Sequence, residues 1–226
     1  MNADPRLLLA CLAAGTGLSP SEPGWKESGS TEEFKAYHQD SEEGQTRKVL
    51  MIGVMDVPPE ALFAVVTDYD RFSEFMPYVQ FTKLLSTEKI DDNKSLSYVF
   101  FYLNPPMITN RFYTIELTDE KNMGGVAGVY RSRWTLAPPE RRVAPDSPEI
   151  RRHVKIGFKN PVETAFNEGY WLLEPVEGGA KTKVSYYVWA NPGGMIPAQI
   201  ADKANAIALP KLWNAVKARV AEKFRG

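Results

Sequence analysis

The chain has 226 residues, a net charge of −1 and a pI near 6.2, so nothing in its overall charge attracts a phosphate backbone. This balance argues against a nucleic-acid-binding protein, and a hydrophobic content of 43 % is ordinary for a globular chain that buries a core. The only cysteine, Cys11, excludes an intrachain disulfide. His38 and His153 stand far apart, and no zinc-ligand spacing occurs, so we expect no metal and no cofactor.

The first 24 residues differ from the rest of the chain. Arg6 precedes an apolar run over 7–15, and a polar stretch rich in Ser, Pro and Gly follows over 16–24. This pattern favours a signal peptide and export to the periplasm or cell envelope, with Cys11 in a lipoprotein-type cleavage site. The alternative is an ordinary N-terminal helix or tail. The apolar run is too short to span a membrane, and the folded domain is predicted over 25–226.

The next elements are two strands and two short helices. Strands are predicted over 34–38 and 45–56, the second with apolar residues on both faces. Pro58 and Pro59 end it and begin a helix whose apolar stripe includes Leu62 and Val66. A second helix is predicted over 71–76, with Asp70 as its capping residue and Pro77 as its end.

From residue 79 the pattern has period two, and turn signals separate the apolar segments. This predicts an antiparallel meander with strands over 79–87, 95–103, 110–118, 127–137, 150–158, 169–174 and 181–190. Asn191-Pro192-Gly193-Gly194 ends the last strand, and a long amphipathic helix is predicted to run to Phe224. Pro210 predicts a kink in that helix, which suits either a lid over a cavity or a helix that follows a curved sheet.

This order of elements resembles the helix-grip fold of the START (lipid-transfer) and polyketide cyclase/dehydrase superfamily. The resemblance covers about 25–224 and rests on an ordered set of local motifs: Trp25-Lys26-Glu27, the first helix over 57–68, Asp70-Arg71-Phe72 and its continuation to Pro77, Asn110-Arg111-Phe112-Tyr113, and Ala190-Asn191-Pro192-Gly193-Gly194. It implies an α+β domain in which a curved antiparallel sheet wraps around the C-terminal helix. Phe112 stands where the family has an aspartate, so the salt bridge common there is absent or replaced.

The resemblance also implies a cavity between the concave face of the sheet and the last helix. Its expected ligand-binding residues are Tyr98, Phe100, Tyr102, Met107, Tyr113, Ile115, Leu117, Trp171, Tyr186, Val188, Met195, Ile200, Ala204 and Ile207. Such a wall is apolar, with phenol hydroxyls as its polar groups. For each residue alone, simple core packing is the alternative. Tyr98 and Leu117 match positions that carry an acid and an arginine in sterol-binding relatives, and both are uncharged here.

Three functions remain open from the sequence. The first is a non-enzymatic carrier of a lipid or other hydrophobic molecule, monomeric and in transient contact with membranes, because no catalytic constellation is visible. The second is a cyclase or dehydratase on the same fold, which a buried carboxylate or histidine with a strongly shifted pKa would favour. The third is a protein-interaction module that uses outward-facing Tyr187 and Trp189.

One basic cluster also stands out in the sequence. Arg141-Arg142 and Arg151-Arg152 flank a proline-rich turn, and a strand hairpin would bring them together. Such a patch would attract anionic lipid head groups, whereas the acidic residues between the arginines favour an ordinary solvated hairpin.

Overall fold

A computed structural model describes residues 17–40, 46–106, 108–154, 160–194 and 198–224, and within 198–206 it describes the backbone only. These residues form one ten-stranded sheet that is antiparallel apart from one short parallel pair. The helices of the described ranges are α1 (Pro59–Val66), α2 (Phe72–Phe75) and α3 (Ala198–Lys223). The α+β class and the helix-grip arrangement predicted from the sequence are confirmed.

The third strand of the chain pairs with the last strand in the interior of the sheet. The strands in chain order are β1 (Lys26–Ser30), β2 (Phe34–Asp40), β3 (Arg47–Met55), β4 (Val79–Lys89), β5 (Lys94–Leu103), β6 (Arg111–Lys121), β7 (Tyr130–Leu136), β8 (Val162–Glu163), β9 (Phe166–Val176) and β10 (Lys181–Asn191). Their order in the sheet is β1-β2-β3-β10-β9-β7-β6-β5-β4, with β8 paired to the start of β6. The pairing of β3 with β10 therefore joins the N-terminal strands to the meander.

The strand predicted over 150–158 is wrong for 150–154, and 155–159 lie outside the described residues. Residues 150–154 form turns, in which the Ile150 amide donates to the Ser147 carbonyl and the His153 amide to the Ile150 carbonyl. Ile150 and Val154 are both buried against the convex face of the sheet. Apolar residues spaced by four thus belong to a covering turn here, not to a strand. This segment also does not form the hairpin expected to gather the arginines.

The strands β1 and β8 were not predicted, and their sequences explain why. Every residue of β1 is exposed, so the segment carries no apolar alternation, and β8 has only two residues. The cap predicted at Asp70 is also wrong. Its carboxylate accepts the Leu84 backbone amide at 2.7 Å and so ties the turn before α2 to β4.

Helix α3 packs on the concave face through Trp213, which is 1 % exposed. The close approach requires a glycine beneath it, because a Cβ atom at Gly53 would lie 2.6 Å from Cη2 of Trp213 and 2.4 Å from the Glu33 carbonyl oxygen. The Trp213 indole donates to Glu33 Oε2 at 2.8 Å, and its ring contacts Phe34 with centroids 5.2 Å apart. Val216 and Val220 continue the buried stripe of the helix. The second half of α3 is therefore fixed to the sheet.

Candidate functional site

A cavity of about 240 Å³ lies between the concave face of the sheet, the region of α1 and α2, and α3. Its wall is mostly aliphatic and aromatic, and the lining carries no charged side chain among the described residues. The lining residues are Val49, Val66, Tyr69, Phe72, Met76, Pro77, Tyr78, Val79, Phe101, Leu103, Tyr113, Ile115, Leu117, Ser132, Trp134, Asn167, Trp171, Tyr186, Val188, Ala208, Leu209 and Leu212. A concave, mostly apolar wall with a few neutral polar groups is the usual form of a small-molecule site.

The structure brings the predicted residues of β6, β9 and β10 together on this wall. They are Tyr113, Ile115 and Leu117 on β6, Trp171 on β9, and Tyr186 and Val188 on β10. Two-residue spacing on each strand and the pairing of Tyr186 with Trp171 place these side chains on one face. Their role in binding a ligand stays a prediction.

The direction predicted for the residues of β5 is wrong. In the antiparallel pair of β5 and β6, Val99 lies opposite Ile115 and Phe101 opposite Tyr113. Residues that face each other across a ladder share a face of the sheet, so the odd-numbered residues of β5 point to the concave face. Phe101 and Leu103 line the cavity in place of Phe100 and Tyr102.

The three side chains predicted on β5 lie on the convex face. Phe100 and Tyr102 are fully buried in a second, small core with Ile150 and Val154. Tyr98 donates to Glu116 Oε2 at 2.5 Å, and the Arg141 guanidinium lies over its ring, 5.2 Å from the centroid. The hydrogen bond to the carboxylate is the main cause that raises the pKa of Tyr98. None of the three reaches the cavity.

On the last helix, the residues that line the cavity differ from those predicted. Ile207 is 50 % exposed, and Ala208, Leu209 and Leu212 line the cavity instead. The reason is helical geometry: at about 100° per residue, Ile207 lies roughly 200° from Leu209 around the axis and cannot share its face. The side chains of Ile200 and Ala204, and the residues Met107 and Met195, lie outside the described residues.

Several lining residues were missed because they stand in segments interpreted as helix caps or loops. Tyr69 lies in a single turn before α2, and Tyr78 lies in the loop between α2 and β4. Tyr78 has φ of +66°, which is unusual for a bulky residue, and the Lys211 ammonium of α3 lies 5.3 Å from its ring centroid. This pairing joins the loop to the helix beside the cavity. No spacing in the sequence indicates it.

Polar side chains on the wall form a short chain of hydrogen bonds. The Trp134 indole donates to Asn167 Oδ1 at 3.0 Å, and the Asn167 amide group hydrogen-bonds the Tyr113 hydroxyl. Burial raises the pKa of Tyr113 and of Tyr186 far above the usual value of a phenol. Both hydroxyls therefore keep their protons at any physiological pH.

A second polar group lies where the cavity adjoins a neighbouring cleft of about 310 Å³, since Tyr69 belongs to both walls. The Tyr69 hydroxyl donates to Asp119, with oxygen–oxygen distances of 2.7 and 2.9 Å to the two carboxylate atoms, and lies 3.0 Å from Ser132 Oγ. Burial raises the pKa of Asp119, although the hydrogen bonds from Tyr69 and Ser132 partly oppose the rise. Burial, together with the charge of Asp119, raises the pKa of Tyr69.

Arg111 ties together the loops before β6 and before α3. It is 5 % exposed, and its guanidinium donates to the carbonyls of Thr109, Pro192 (2.7 Å) and Gly193 (3.1 Å). Burial lowers the pKa of this arginine. Carbonyl oxygens thus replace the carboxylate that Phe112 cannot supply.

The remaining sequence motifs form no further site in the described ranges. Arg142 pairs with Glu163 at 3.6 Å and donates to the Ala137 carbonyl, so it is bound within the fold. Tyr187, predicted to be part of an outward patch, is 7 % exposed, and the Trp189 indole donates to Thr46 Oγ1 at 2.8 Å. The patch proposed for protein contact is therefore wrong for Tyr187.

Within the residues that the structure describes, no group of three or more His, Cys, Asp or Glu side chains is placed to hold a metal ion. No helix in the same ranges is both long and apolar enough to cross a bilayer.

A curved sheet that closes on a C-terminal helix around an apolar cavity defines a helix-grip domain of the START type. The chain belongs to the family described as polyketide cyclase / dehydrase and lipid transport, whose model matches residues 55–217.

Two solved structures illustrate the shared fold. A STAR-related lipid transfer protein from Xanthomonas axonopodis is 22 % identical with a TM-score of 0.66, over 87 % of this chain and 98 % of that one. Human StAR-related lipid transfer protein 5 is 14 % identical with a TM-score of 0.70, over 98 % of this chain and 94 % of that one. A comparison with curated protein sequences finds no match.

Proposed function

We propose that the protein binds a lipid or other hydrophobic molecule in the cavity and transfers it between membranes. The observation that carries this proposal is the wall itself, which is largely apolar and has no charged side chain in its described lining. Burying an unpaired charge is costly, so such a wall selects an uncharged ligand portion. The lipid transfer proteins with the same fold support the proposal but do not identify the ligand.

The size of the cavity bears on how a ligand enters. About 240 Å³ lies just below the roughly 300–1,000 Å³ typical of small-molecule sites. A long-chain lipid therefore requires part of the wall to move outward. The cavity-lining residues Ala208 and Leu209 precede Trp213, which fixes the helix to the sheet. We propose that the part of α3 before Trp213 moves and that the part after it stays in place.

Native mass spectrometry of the purified full-length chain, followed by organic extraction, tests the proposal. We expect a lipid bound at one molecule per chain, either co-purified or taken up from a lipid mixture. Val188→Trp fills the cavity and should lower the bound fraction at least ten-fold. Val54→Trp is the matched control, because Val54 is 47 % exposed and lies outside the lining. A clean apo mass in both the parent protein and the control would refute lipid binding.

The transfer step has its own test. Fluorescent lipid is loaded into donor vesicles, and its arrival in acceptor vesicles is followed with and without protein. Transfer by the parent and by Val54→Trp, but not by Val188→Trp, is the expected result. Binding without transfer would indicate that the protein stores or senses the lipid and does not carry it between membranes.

A second candidate function, a cyclase or dehydratase, is favoured by one specific observation. Asp119 is a largely buried carboxylate with a raised pKa, and the two hydroxyls bonded to it, Tyr69 and Ser132, both line the cavity. A carboxyl group poised in this way can pass a proton to or from a bound ligand through Tyr69. The family description includes cyclases and dehydrases beside lipid transport.

The enzymatic candidate is tested with a short poly-β-ketone thioester and analysis of its products by mass spectrometry. The candidate predicts ring closure with loss of water, at a rate reduced at least a hundred-fold in Asp119→Asn. Tyr98→Phe is the control, because its hydroxyl lies on the convex face. If the parent protein and Asp119→Asn leave the thioester unchanged alike, the carrier function stands alone.

A further inference from the structure

Tyr186 lines the cavity, and its hydroxyl has no hydrogen-bond partner among the described residues. Its ring is held between Trp134 and Trp171, with centroids 6.0 and 4.5 Å away. Buried polar groups in folded proteins nearly always have a hydrogen-bond partner, so an open hydroxyl in an apolar wall points to a ligand atom.

Tyr113 lines the same cavity, and its hydroxyl is half satisfied. Trp134 donates to Asn167 Oδ1, which leaves the Asn167 amino group to donate to the Tyr113 oxygen. The Tyr113 O–H proton is then free to donate in turn. Its ring stacks on Phe101 with centroids 5.1 Å apart, so its orientation is fixed. Tyr186 packs against Trp134, whose indole donates to Asn167, and both tyrosines line the same cavity.

We propose that Tyr113 and Tyr186 form a pair of hydroxyl donors that binds a carbonyl oxygen, and that the ligand is an uncharged ketone, ester or amide with a long apolar chain. This inference rests on the proposed function and names its ligand class. A carbonyl oxygen has two lone pairs and accepts two donors. Both rings are held by packing before the ligand arrives, which lowers the entropy cost of binding.

The other polar ligand classes fit this pair less well. A carboxylate or phosphate would lie in the cavity without a cation, since the described lining has no lysine or arginine. When both phenols donate to an alcohol oxygen, the alcohol's own proton needs a separate acceptor, so an alcohol fits the pair less well than a carbonyl group does. A plain hydrocarbon leaves the Tyr186 hydroxyl unsatisfied.

The test measures the affinity of the parent protein and its variants for three ligands with the same number of carbon atoms: dodecane, dodecan-2-one and dodecan-2-ol. Tyr186→Phe should weaken binding of the ketone about five-fold, which is the effect of one net hydrogen bond, and leave the affinity for dodecane unchanged. The variant removes a hydroxyl without a protein partner, so the fold should be as stable as in the parent. Tyr113→Phe should act in the same direction, and Tyr98→Phe, outside the cavity, should change neither ligand.

Infrared spectroscopy of the bound, carbonyl-labelled ketone reports directly on hydrogen bonds to its oxygen. A purely structural role of Tyr186 would not change the carbonyl stretching frequency. Two hydrogen bonds should lower the carbonyl stretching frequency relative to the ketone in hydrocarbon solvent, and Tyr186→Phe should reverse part of that shift.

The proposal is overturned if the carbonyl band stays at its hydrocarbon position, if Tyr186→Phe weakens ketone and alkane equally, or if the alcohol is the ligand that loses most. Any of these outcomes leaves lipid binding intact when a lipid is found by mass spectrometry. A protein that binds neither the three probes nor any lipid refutes the proposed function together with this ligand class.

Discussion

The concave and convex faces of the sheet are both apolar at β5, and the cavity of the described residues lies on the concave face. On the concave side Phe101 and Leu103 lie next to open space. On the convex side Phe100 and Tyr102 are fully buried against Ile150 and Val154. The residue types are alike, so composition does not cause the difference.

The difference lies in what covers each face. A chain segment lies directly on the convex face and inserts Ile150 and Val154 between the sheet residues. Helix α3 instead spans the concave face and is fixed at Trp213 and beyond, which leaves a gap beside Leu209. A covering element fixed at a distance from the apolar surface thus leaves a cavity, whereas direct cover creates a core.

The largest expected effect comes from removing the anchor of α3. Trp213→Ala deletes a 1 % exposed indole and its hydrogen bond to Glu33, and it should lower the free energy of unfolding by about 3–5 kcal/mol. Urea denaturation measures the loss. Trp189→Ala is the control with a smaller expected cost, because that indole is only half-buried on the sheet. A similar cost for both would contradict the role of Trp213 as the anchor.

The next effect compares one isoleucine on each face. Ile150→Ala in the convex core should cost about 4 kcal/mol, whereas Ile115→Ala on the cavity wall should cost about 2 kcal/mol, because Ile115 borders space that is already empty. Ligand binding should respond in the opposite order, changing for Ile115→Ala and not for Ile150→Ala. Equal stability losses would show that the cavity is filled or collapsed in solution.

The smallest effect concerns pH and Asp119, between the cavity and the neighbouring cleft. Burial raises the pKa of this carboxyl, so the folded protein holds the proton more tightly than the unfolded chain does. Between the ordinary pKa of an aspartate, about 4, and the raised value, unfolding releases a proton, and this group's contribution to stability falls as the pH rises. Above the raised pKa the contribution no longer changes.

Asp119→Asn isolates that contribution. Glu33, Asp40 and Glu120 have lowered pKa values and act in the opposite sense, but they are common to both proteins and cancel in the difference. Relative to the parent, the variant should therefore gain stability as the pH is raised through the window above 4. Denaturation midpoints measured at several pH values check this. A difference that is independent of pH would show that Asp119 titrates normally in the folded state.

Much of the fold could be predicted from the sequence because its signals are local. The prolines before α1, the turn residues between the strands and the long apolar stripe of α3 each specify an element by themselves. The order of the elements was then enough to indicate the helix-grip arrangement. On β6, β9 and β10 the predicted inward face also matches the face that lines the cavity.

The features of the fold and the site that could not be predicted depend on contacts between residues far apart in the sequence. Every position from Val99 to Tyr102 is apolar, so alternation does not reveal which face is concave, and only the register with β6 decides it. Asp119 and Tyr69 are fifty residues apart, and neither has a local signal for burial. Asn167 is a polar residue in a strand, and the sequence does not show that the Trp134 indole, 33 residues away, holds its side chain in place.

The alternation of β5 also has a consequence for how this protein can change over evolutionary time. Neighbouring positions on the strand are subject to separate constraints, since Phe101 borders the cavity and Phe100 belongs to a buried core. A substitution at Phe101 can reshape the site while the convex core continues to hold the strand in register. The same short segment can therefore acquire a new specificity without first losing its structure.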